Sequence, residues 1–265
     1  MDVQGWITLN NQSGTPYVNA KTLLVAGTVA GADQQPQRYR PQAPRGGMVQ
    51  AGTETASRER LGGYYLYPLA ERTTIADKQT KQVSFLDVHG TPAARGYEYR
   101  NAWLGTAEEP VSANSVLRFS SSAGGGRLSG EGLGDALPAG VVRVYQRDAR
   151  GNPQFVGEHR IGHTPMGSSL SLATGEAFDV KVRAVVEERT GLGSSRWQTR
   201  MRYDLTNASP KPVTVDLVQD GLWGDTRITA ESLKSERKDV DRNLWRVNVP
   251  ANGSAQVTAT FDTRY

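Results

Sequence analysis

The sequence contains no cysteine and only three histidines in 265 residues. The lack of cysteine excludes disulfide bonds, thiolate catalysis and cysteine-ligated zinc. No apolar run approaches the ~20 residues that cross a bilayer as a helix. The first residues lack a signal-peptide pattern and enter a strand pattern at Trp6. This start suits a fragment whose parent protein carries its targeting sequence upstream; a cytoplasmic protein is the alternative.

Motifs for nucleotides, nucleic acids and acyl transfer are also lacking. The glycine-rich run at 124–134 matches neither a dinucleotide fingerprint nor a P-loop, and no helix pattern follows it. There is no Gly-x-Ser-x-Gly nucleophile elbow. The net charge is only +4, with acidic residues interspersed among the basic ones, whereas nucleic-acid binding usually requires a dense basic patch. We therefore predict no cofactor.

A hydrophobic period of two is the clearest pattern in the chain. At 196–207 the two faces of the predicted strand are Trp197, Thr199, Met201, Tyr203 and Leu205 on one side, and Gln198, Arg200, Arg202 and Asp204 on the other. The same alternation recurs from end to end, with turn residues between the segments. The pattern predicts an all-β protein whose sheets have one packed face and one solvated face.

The strand patterns are densest after residue 176, with turns at the spacing of an immunoglobulin-like sandwich. We predict an all-β, antiparallel β-sandwich architecture with a β-rich part at 1–175 and an immunoglobulin-like β-sandwich at 176–265. One continuous β domain is the alternative. Residues 31–60 are rich in Gln, Pro, Gly and Arg and have no apolar period, which predicts a long loop.

Two segments of the chain resemble each other. Residues 9–16 read Leu-Asn-Asn-Gln-Ser-Gly-Thr-Pro, and residues 205–212 read Leu-Thr-Asn-Ala-Ser-Pro-Lys-Pro. One interpretation is the duplication of a sandwich hairpin. The other is that turns require Asn, Ser and Pro wherever they occur.

Glu158, His159 and His163 form a candidate polar site. On a helix, the spacing of the two histidines would suit zinc. Gly162, Pro165 and the preceding strand pattern instead indicate a strand, on which the histidines lie roughly 13 Å apart, too far to bind one ion. We therefore predict no metal, and hydrogen-bonded structural histidines are the alternative to a polar site.

Carboxylates and aromatic residues supply two further candidates. Acidic residues at 108, 109, 158, 179, 187 and 188 could include a glycosidase pair, but such a pair is defined by its separation in space. Two aromatic clusters either stack on sugar rings or pack in the core at strand spacing; they are Tyr64, Tyr65 and Tyr67, and Tyr97, Tyr99 and Trp103.

A predicted hairpin between 178–188 and 196–207 gathers four basic residues on its outer face, namely Lys181, Arg183, Arg200 and Arg202. Like charges on neighbouring strands repel unless Asp204, Glu187 or an outside anion lies among them. The pattern predicts either a binding patch for an acidic protein surface or an anionic glycan, or an ordinary solvated face held by salt bridges.

Several stretches resemble one bacterial family. They are Gly-Trp-Ile-Thr-Leu-Asn-Asn at 5–11, Asn-Ala-Lys-Thr-Leu-Leu-Val-Ala-Gly at 19–27, Leu-Pro-Ala-Gly-x-x-Arg-Val-Tyr at 137–145 and Phe-Val-Gly-Glu at 155–158. Together with 67–69, 73–75 and 81–83, they resemble the C-terminal domain of unknown function in mucoidy-inhibitor-like bacterial proteins. The resemblance implies an upstream domain and often a coiled coil, and a signal peptide at the start of exported members. It implies no enzymatic activity and no catalytic residues.

These observations predict a non-catalytic domain of the bacterial cell envelope or periplasm that acts through surface interaction with a protein or a cell-surface polysaccharide. A carbohydrate-active or metal-assisted hydrolase is the alternative. Nucleic-acid binding would require the loop at 31–60 to order on phosphates. We expect no membrane span, and any homo-oligomer would form through an upstream coiled coil.

Overall fold

A computed structural model describes residues 1–26, 50–51, 57–61, 64–69, 71–123, 132–222 and 225–264. These residues form nineteen strands and no helix, so the predicted all-β class is confirmed. Within these ranges there is accordingly no helix of the length and apolar character that crosses a membrane.

The chain divides into two compact units, each built from three stretches. Unit 1 contains residues 1–93, 119–142 and 160–170, and unit 2 contains residues 94–118, 143–159 and 171–265. The sequence pattern predicts a division of the chain at 175/176. The units do not follow that division, because strands from before residue 118 pair within the C-terminal sheet.

Unit 1 holds the first eight strands, which are β1 (Val3–Asn10), β2 (Tyr17–Ala20), β3 (Leu23–Ala26), β4 (Gln50–Ala51), β5 (Ser57–Leu61), β6 (Tyr64–Pro68), β7 (Thr73–Ile75) and β8 (Thr80–Val88). Strand β1 pairs with β8, β2 pairs with β7, and the other four form a sheet in the order β3-β6-β5-β4.

The prediction of a loop at 31–60 is wrong for the residues of this range that the structure describes. Residues 57–60 belong to β5, since Glu59 and Arg60 pair with Leu66 and Tyr65 of β6. Backbone pairing forms this strand without an apolar period in its sequence. The remainder of the predicted loop, apart from β4, lies outside the described residues.

The next strands are β9 (Ala93–Asn101), β10 (Val111–Ser120), β11 (Gly140–Arg147), β12 (Pro153–Ile161), β13 (Ser169–Gly191), β14 (Arg196–Asn207), β15 (Val213–Gln219), β16 (Asp225–Glu231), β17 (Glu236–Arg237), β18 (Asn243–Val249) and β19 (Gly253–Arg264). Nine of them form one sheet in the order β16-β19-β14-β13-β10-β9-β15-β18-β17, in which β9 and β15 run parallel. Strands β11 and β12 form a separate two-stranded sheet.

The predicted hairpin of β13 and β14 is confirmed, and its register runs from Val180 with Asn207 to Gly191 with Trp197. Strand β13 is longer than expected. The segment predicted as a strand at 178–188 is part of one strand that runs from Ser169 through Gly175, whose φ is +141°, to Gly191.

The nine-stranded sheet folds over its own core. In the strand order, β14 and β18 are five steps apart, which corresponds to roughly 24 Å in a flat sheet. Yet the ring centres of Tyr203 on β14 and Trp245 on β18 are 5.8 Å apart, and Trp245 also meets Phe261 of β19 edge to face at 6.4 Å. The ends of the sheet therefore face each other across these buried rings. The immunoglobulin-like assignment stays a prediction.

A buried asparagine ends the first strand of unit 1. The Asn11 side-chain nitrogen donates to the carbonyl oxygens of Thr15 at 2.8 Å and Ala76 at 3.0 Å, with that of Ile75 at 3.3 Å. Its side-chain oxygen accepts from the backbone N–H and the hydroxyl of Ser13. One side chain thereby joins the turn after β1 to the turn between β7 and β8.

Asn207 makes the same contacts at the end of β14 in unit 2. Its side-chain nitrogen donates to the carbonyl oxygens of Lys211 at 2.8 Å and Pro250 at 2.9 Å, with that of Val249 at 3.5 Å. Its oxygen accepts from the backbone N–H and the hydroxyl of Ser209. The two arrangements, which we call the asparagine corners, are equivalent atom for atom.

The likeness extends to strand pairing. Strand β1 pairs with β8 as β14 pairs with β19, and β2 pairs with β7 as β15 pairs with β18. The registers agree next to the corners, since the pairs Ile7 with Val83 and Tyr17 with Ile75 correspond to Tyr203 with Val257 and Val213 with Val249. Farther away they differ, because both unit 1 pairs contain a register shift. Turn chemistry alone does not require equal registers, so the structure supports the duplication.

We predict that Asn207→Ala lowers the free energy of unfolding by about 1–3 kcal/mol, because it leaves buried carbonyl oxygens without a donor. Asn11→Ala is expected to have a similar effect on unit 1. Urea denaturation measures both. Asn10→Ala, which removes an exposed side chain beside the corner, is the control, and equal stability of all three variants would contradict the assigned role of the corners.

Candidate functional site

A cleft of about 200 Å³ opens within unit 2. Its walls include two tryptophans, Trp103 and Trp197, whose exposed fractions are 47% and 41%. The other residues that line it are Leu104, Arg189, Thr199, Gly221, Thr226 and Thr263. Large aromatic side chains that remain half exposed beside polar groups are typical of binding sites, so this cleft is the candidate functional site.

Trp197 lies at the start of the packed face of β14. The residues that follow on that face, Thr199, Met201, Tyr203 and Leu205, are all buried, as the sequence period predicted. Trp197 is the first member of this row and extends past the core, so its ring forms a cleft wall. Gly191 on β13 lies beneath it, and a Cβ atom there would be 3.4 Å from the indole.

Trp103 lies in the turn after β9, where a hydrogen-bond chain that begins in the core ends at its carbonyl oxygen. The Asn101 side-chain nitrogen donates to the Trp103 carbonyl oxygen at 2.7 Å and to Gln219 Oε1 at 2.8 Å. Gln219 Oε1 also accepts from the Tyr203 hydroxyl at 2.6 Å, and its Nε2 donates to the Asp220 carbonyl oxygen. Burial raises the pKa of the Tyr203 hydroxyl, which keeps it protonated as the donor.

Hydroxyl groups line part of the cleft. Thr199, Thr226 and Thr263 are all nearly buried, and the Thr226 hydroxyl donates to the Thr263 hydroxyl oxygen at 3.2 Å. Arg189 reaches into the same cleft from β13. Its Nε donates to the Thr199 hydroxyl at 3.2 Å, and one terminal nitrogen donates to the Leu104 carbonyl oxygen. The cleft thus offers hydroxyl and guanidinium groups beside two indole rings.

Gly221 forms the side of the cleft next to β9. Its φ is +69°, a conformation that side chains rarely adopt, and a Cβ atom there would be 2.3 Å from the Ala102 carbonyl oxygen. Only glycine therefore permits this close approach of the two backbones.

An ion pair between Arg196 and Asp262 stands next to the cleft residues Trp197 and Thr263. The Arg196 Nε lies 2.9 and 3.1 Å from the two carboxylate oxygens, and a terminal nitrogen also contacts the carboxylate. The hydrogen bond and charge of Arg196 lower the pKa of Asp262. The pair joins β14 to β19, and both oxygens of the Asp262 carboxylate already accept hydrogen bonds from Arg196.

The residues of the predicted polar site are divided between the two units, and the site stays a prediction. Glu158 and His159 belong to unit 2, and Glu158 pairs with Arg143 at 3.3 Å. His163 belongs to unit 1, where its Nδ1 accepts a hydrogen bond from the Ala139 backbone N–H. Across the described ranges, no group of three or more His, Asp or Glu side chains is placed to hold a metal ion.

The predicted basic patch is formed on β13 and β14, with acidic side chains among the cations. Arg200 and Arg202 share Glu187, at 3.0 and 3.1 Å, and Arg202 also contacts Asp204 at 3.1 Å. The other two members, Lys181 and Arg183, are exposed and stand opposite Thr206 and Asp204. The ion pairs match the salt-bridged alternative, and binding through this patch stays a prediction.

The aromatic clusters mostly pack inward. Tyr67 and Tyr99 are buried, and Tyr67 meets Phe85 edge to face at 5.7 Å. The exception is Trp103. It follows the end of β9 at Asn101, so it does not lie on the packed face of that strand and stays half exposed. The side chain of Tyr64 and residues 124–131 of the glycine-rich run lie outside the described part.

Comparison with known proteins identifies no relative: no family model, no curated protein and no solved structure matches the chain. The resemblance to mucoidy-inhibitor-like proteins thus stays a prediction. The cleft is the feature of the structure that points to a function.

We predict that Gln219→Leu lowers the free energy of unfolding by about 1–3 kcal/mol, because it leaves the buried Tyr203 hydroxyl without its acceptor. Adding Tyr203→Phe removes that unpaired hydroxyl, so the double variant should regain part of the loss. Urea denaturation of both single variants and the double variant tests the pair. Additive losses would show that the two side chains are not coupled.

A second prediction concerns acid stability. An unfolded Asp titrates near pH ~3.9. Because Arg196 lowers the native pKa of Asp262, the pair contributes to stability above that pH, and the contribution is lost as the pH falls through the native pKa. Asp262→Asn should therefore weaken the decline of stability between roughly pH 5 and 2. Denaturant midpoints measured over this range test it, and an unchanged profile would contradict it.

Proposed function

We propose that this chain is a non-catalytic binding domain of the bacterial cell envelope and that a saccharide of a cell-surface polysaccharide binds in the Trp103–Trp197 cleft. The observation that carries the proposal is the pair of half-exposed indoles beside hydroxyl and guanidinium groups. The apolar face of a sugar ring packs on an indole, while its hydroxyls require donors and acceptors nearby.

The size of the cleft supports a small binding unit. Pockets for drug-sized ligands have volumes of about 300–1,000 Å³, whereas this cleft has about 200 Å³. A single sugar ring matches this space better than a long oligosaccharide. The domain would then bind one sugar ring of a polysaccharide chain, while the neighbouring rings remain in solvent.

A protein partner is the second candidate, and the β11–β12 hairpin favours it. Tyr145 and Phe155 of this hairpin are 58% and 55% exposed, and their ring centres are 5.6 Å apart. Phe178 of β13 is also strongly exposed. Exposed aromatic side chains of this kind are frequent in protein interfaces.

The hydrolase alternative lacks a comparable observation. Glycoside hydrolysis requires two carboxylates that face one cleft, and the described residues that line this cleft include none. The location in the envelope or periplasm, and assembly through an upstream coiled coil, rest on the family resemblance alone.

We predict that Trp103→Ala and Trp197→Ala each weaken saccharide binding about tenfold or more, since truncating a central tryptophan typically costs over ~1 kcal/mol of binding energy. Envelope polysaccharide fragments and peptidoglycan fragments that raise the melting temperature would first be identified, because a ligand of the native state stabilises it. Calorimetry then measures each affinity.

Trp6→Ala is the matched control, because Trp6 is an exposed tryptophan of unit 1. Equal losses for all three variants would contradict binding in the cleft. If no saccharide raises the melting temperature, the proposal fails and the protein partner becomes the leading candidate.

A further inference from the structure

We infer that the saccharide bound by the cleft is acidic and that Arg189 recognises its carboxylate. This inference rests on the proposed function and adds the class of ligand. It comes from the charge of the cleft: Arg189 is the only ionisable side chain among its described lining residues.

The Arg189 guanidinium is held in position without being neutralised. Its two acceptors, the Thr199 hydroxyl and the Leu104 carbonyl oxygen, are both uncharged. A guanidinium has five N–H donors, so further donors remain beyond these two bonds. Since Leu104 and Thr199 fix the group from two sides, little side-chain entropy is lost when a ligand binds it.

The carboxylates of Asp262, Glu187 and Glu188 are bonded to residues other than Arg189. Asp262 is paired with Arg196, and Glu187 is shared by Arg200 and Arg202. Glu188 precedes Arg189 in the chain and accepts from the Thr190 hydroxyl. In the described part of the chain, no carboxylate forms an ion pair with Arg189, so a ligand carboxylate would supply the missing counter-charge.

A uronic acid satisfies both features of the cleft. Its ring offers an apolar face to an indole, and its carboxylate projects from the edge of the ring, where a guanidinium can bind it. Charge-assisted hydrogen bonds of this kind are about twice as strong as neutral ones. A neutral sugar would offer Arg189 only hydroxyl oxygens, so the cleft should discriminate between the two.

The test uses two matched probes, an oligosaccharide of glucuronic acid and the same oligosaccharide after reduction of its carboxyl groups. We expect wild-type protein to bind the acidic probe at least tenfold more tightly, with an affinity that falls as salt is added. Arg189→Gln should lower the affinity for the acidic probe about tenfold more than the affinity for the reduced probe, so that the preference for the acidic probe is largely lost.

Arg189→Lys keeps the charge and serves as the second variant should Arg189→Gln unfold. It is expected to retain an intermediate preference for the acidic probe, because an ammonium lacks the planar fork. Arg200→Gln with Arg202→Gln is the control for surface charge, and we expect it to change neither affinity by more than twofold.

Each other outcome has a separate meaning. Equal affinities for the two probes would overturn the inference and leave the proposed function standing. A greater loss in the Arg200/Arg202 control than in Arg189→Gln would also overturn it, because acid recognition would then belong to the basic patch. If neither probe nor any other saccharide binds, the proposed function itself fails.

Discussion

The hydrogen bond from the Tyr203 hydroxyl to Gln219 Oε1 crosses the core of unit 2, and the arrangement of the cleft depends on it. Folding a sheet over itself buries polar groups along with apolar ones, and each must find a partner. Tyr203 and Gln219 satisfy each other across the fold, and Asn101 extends the chain to the Trp103 carbonyl oxygen. A chain of hydrogen bonds thereby joins the core to the backbone of one cleft wall.

The asparagine corners show how the same arrangement serves two units. In both, one buried amide fixes two turns and so fixes the register of two strand pairs. In unit 2 the equivalent pair β14–β19 gains β13 on one side and β16 on the other. Arg189 comes from β13 and Thr226 from β16. The candidate site therefore combines residues of the shared pair, such as Trp197 and Thr263, with residues of the two strands that flank it. This is consistent with sites being added to a common framework.

Two groups of arginines in unit 2 differ in whether a protein carboxylate balances their charge. On the outer face of β14, Arg200 and Arg202 contact Glu187, which compensates them in the solvated sheet surface. In the cleft, Arg189 is held by neutral acceptors. A charge count of the sequence cannot separate these cases, because the difference lies in which side chains come within 4 Å.

The all-β class, the β13–β14 hairpin and the buried face of β14 could all be predicted from the amino-acid pattern. A period of two separates the two faces of a strand without reference to other strands. The sequence also contained both asparagine corners as a repeated motif. Only the tertiary structure decided that Trp197 and Trp103 meet at one cleft. That meeting depends on the fold-over of the sheet and on the parallel pairing of β9 with β15. Such contacts join residues far apart in the chain, and no local pattern encodes them.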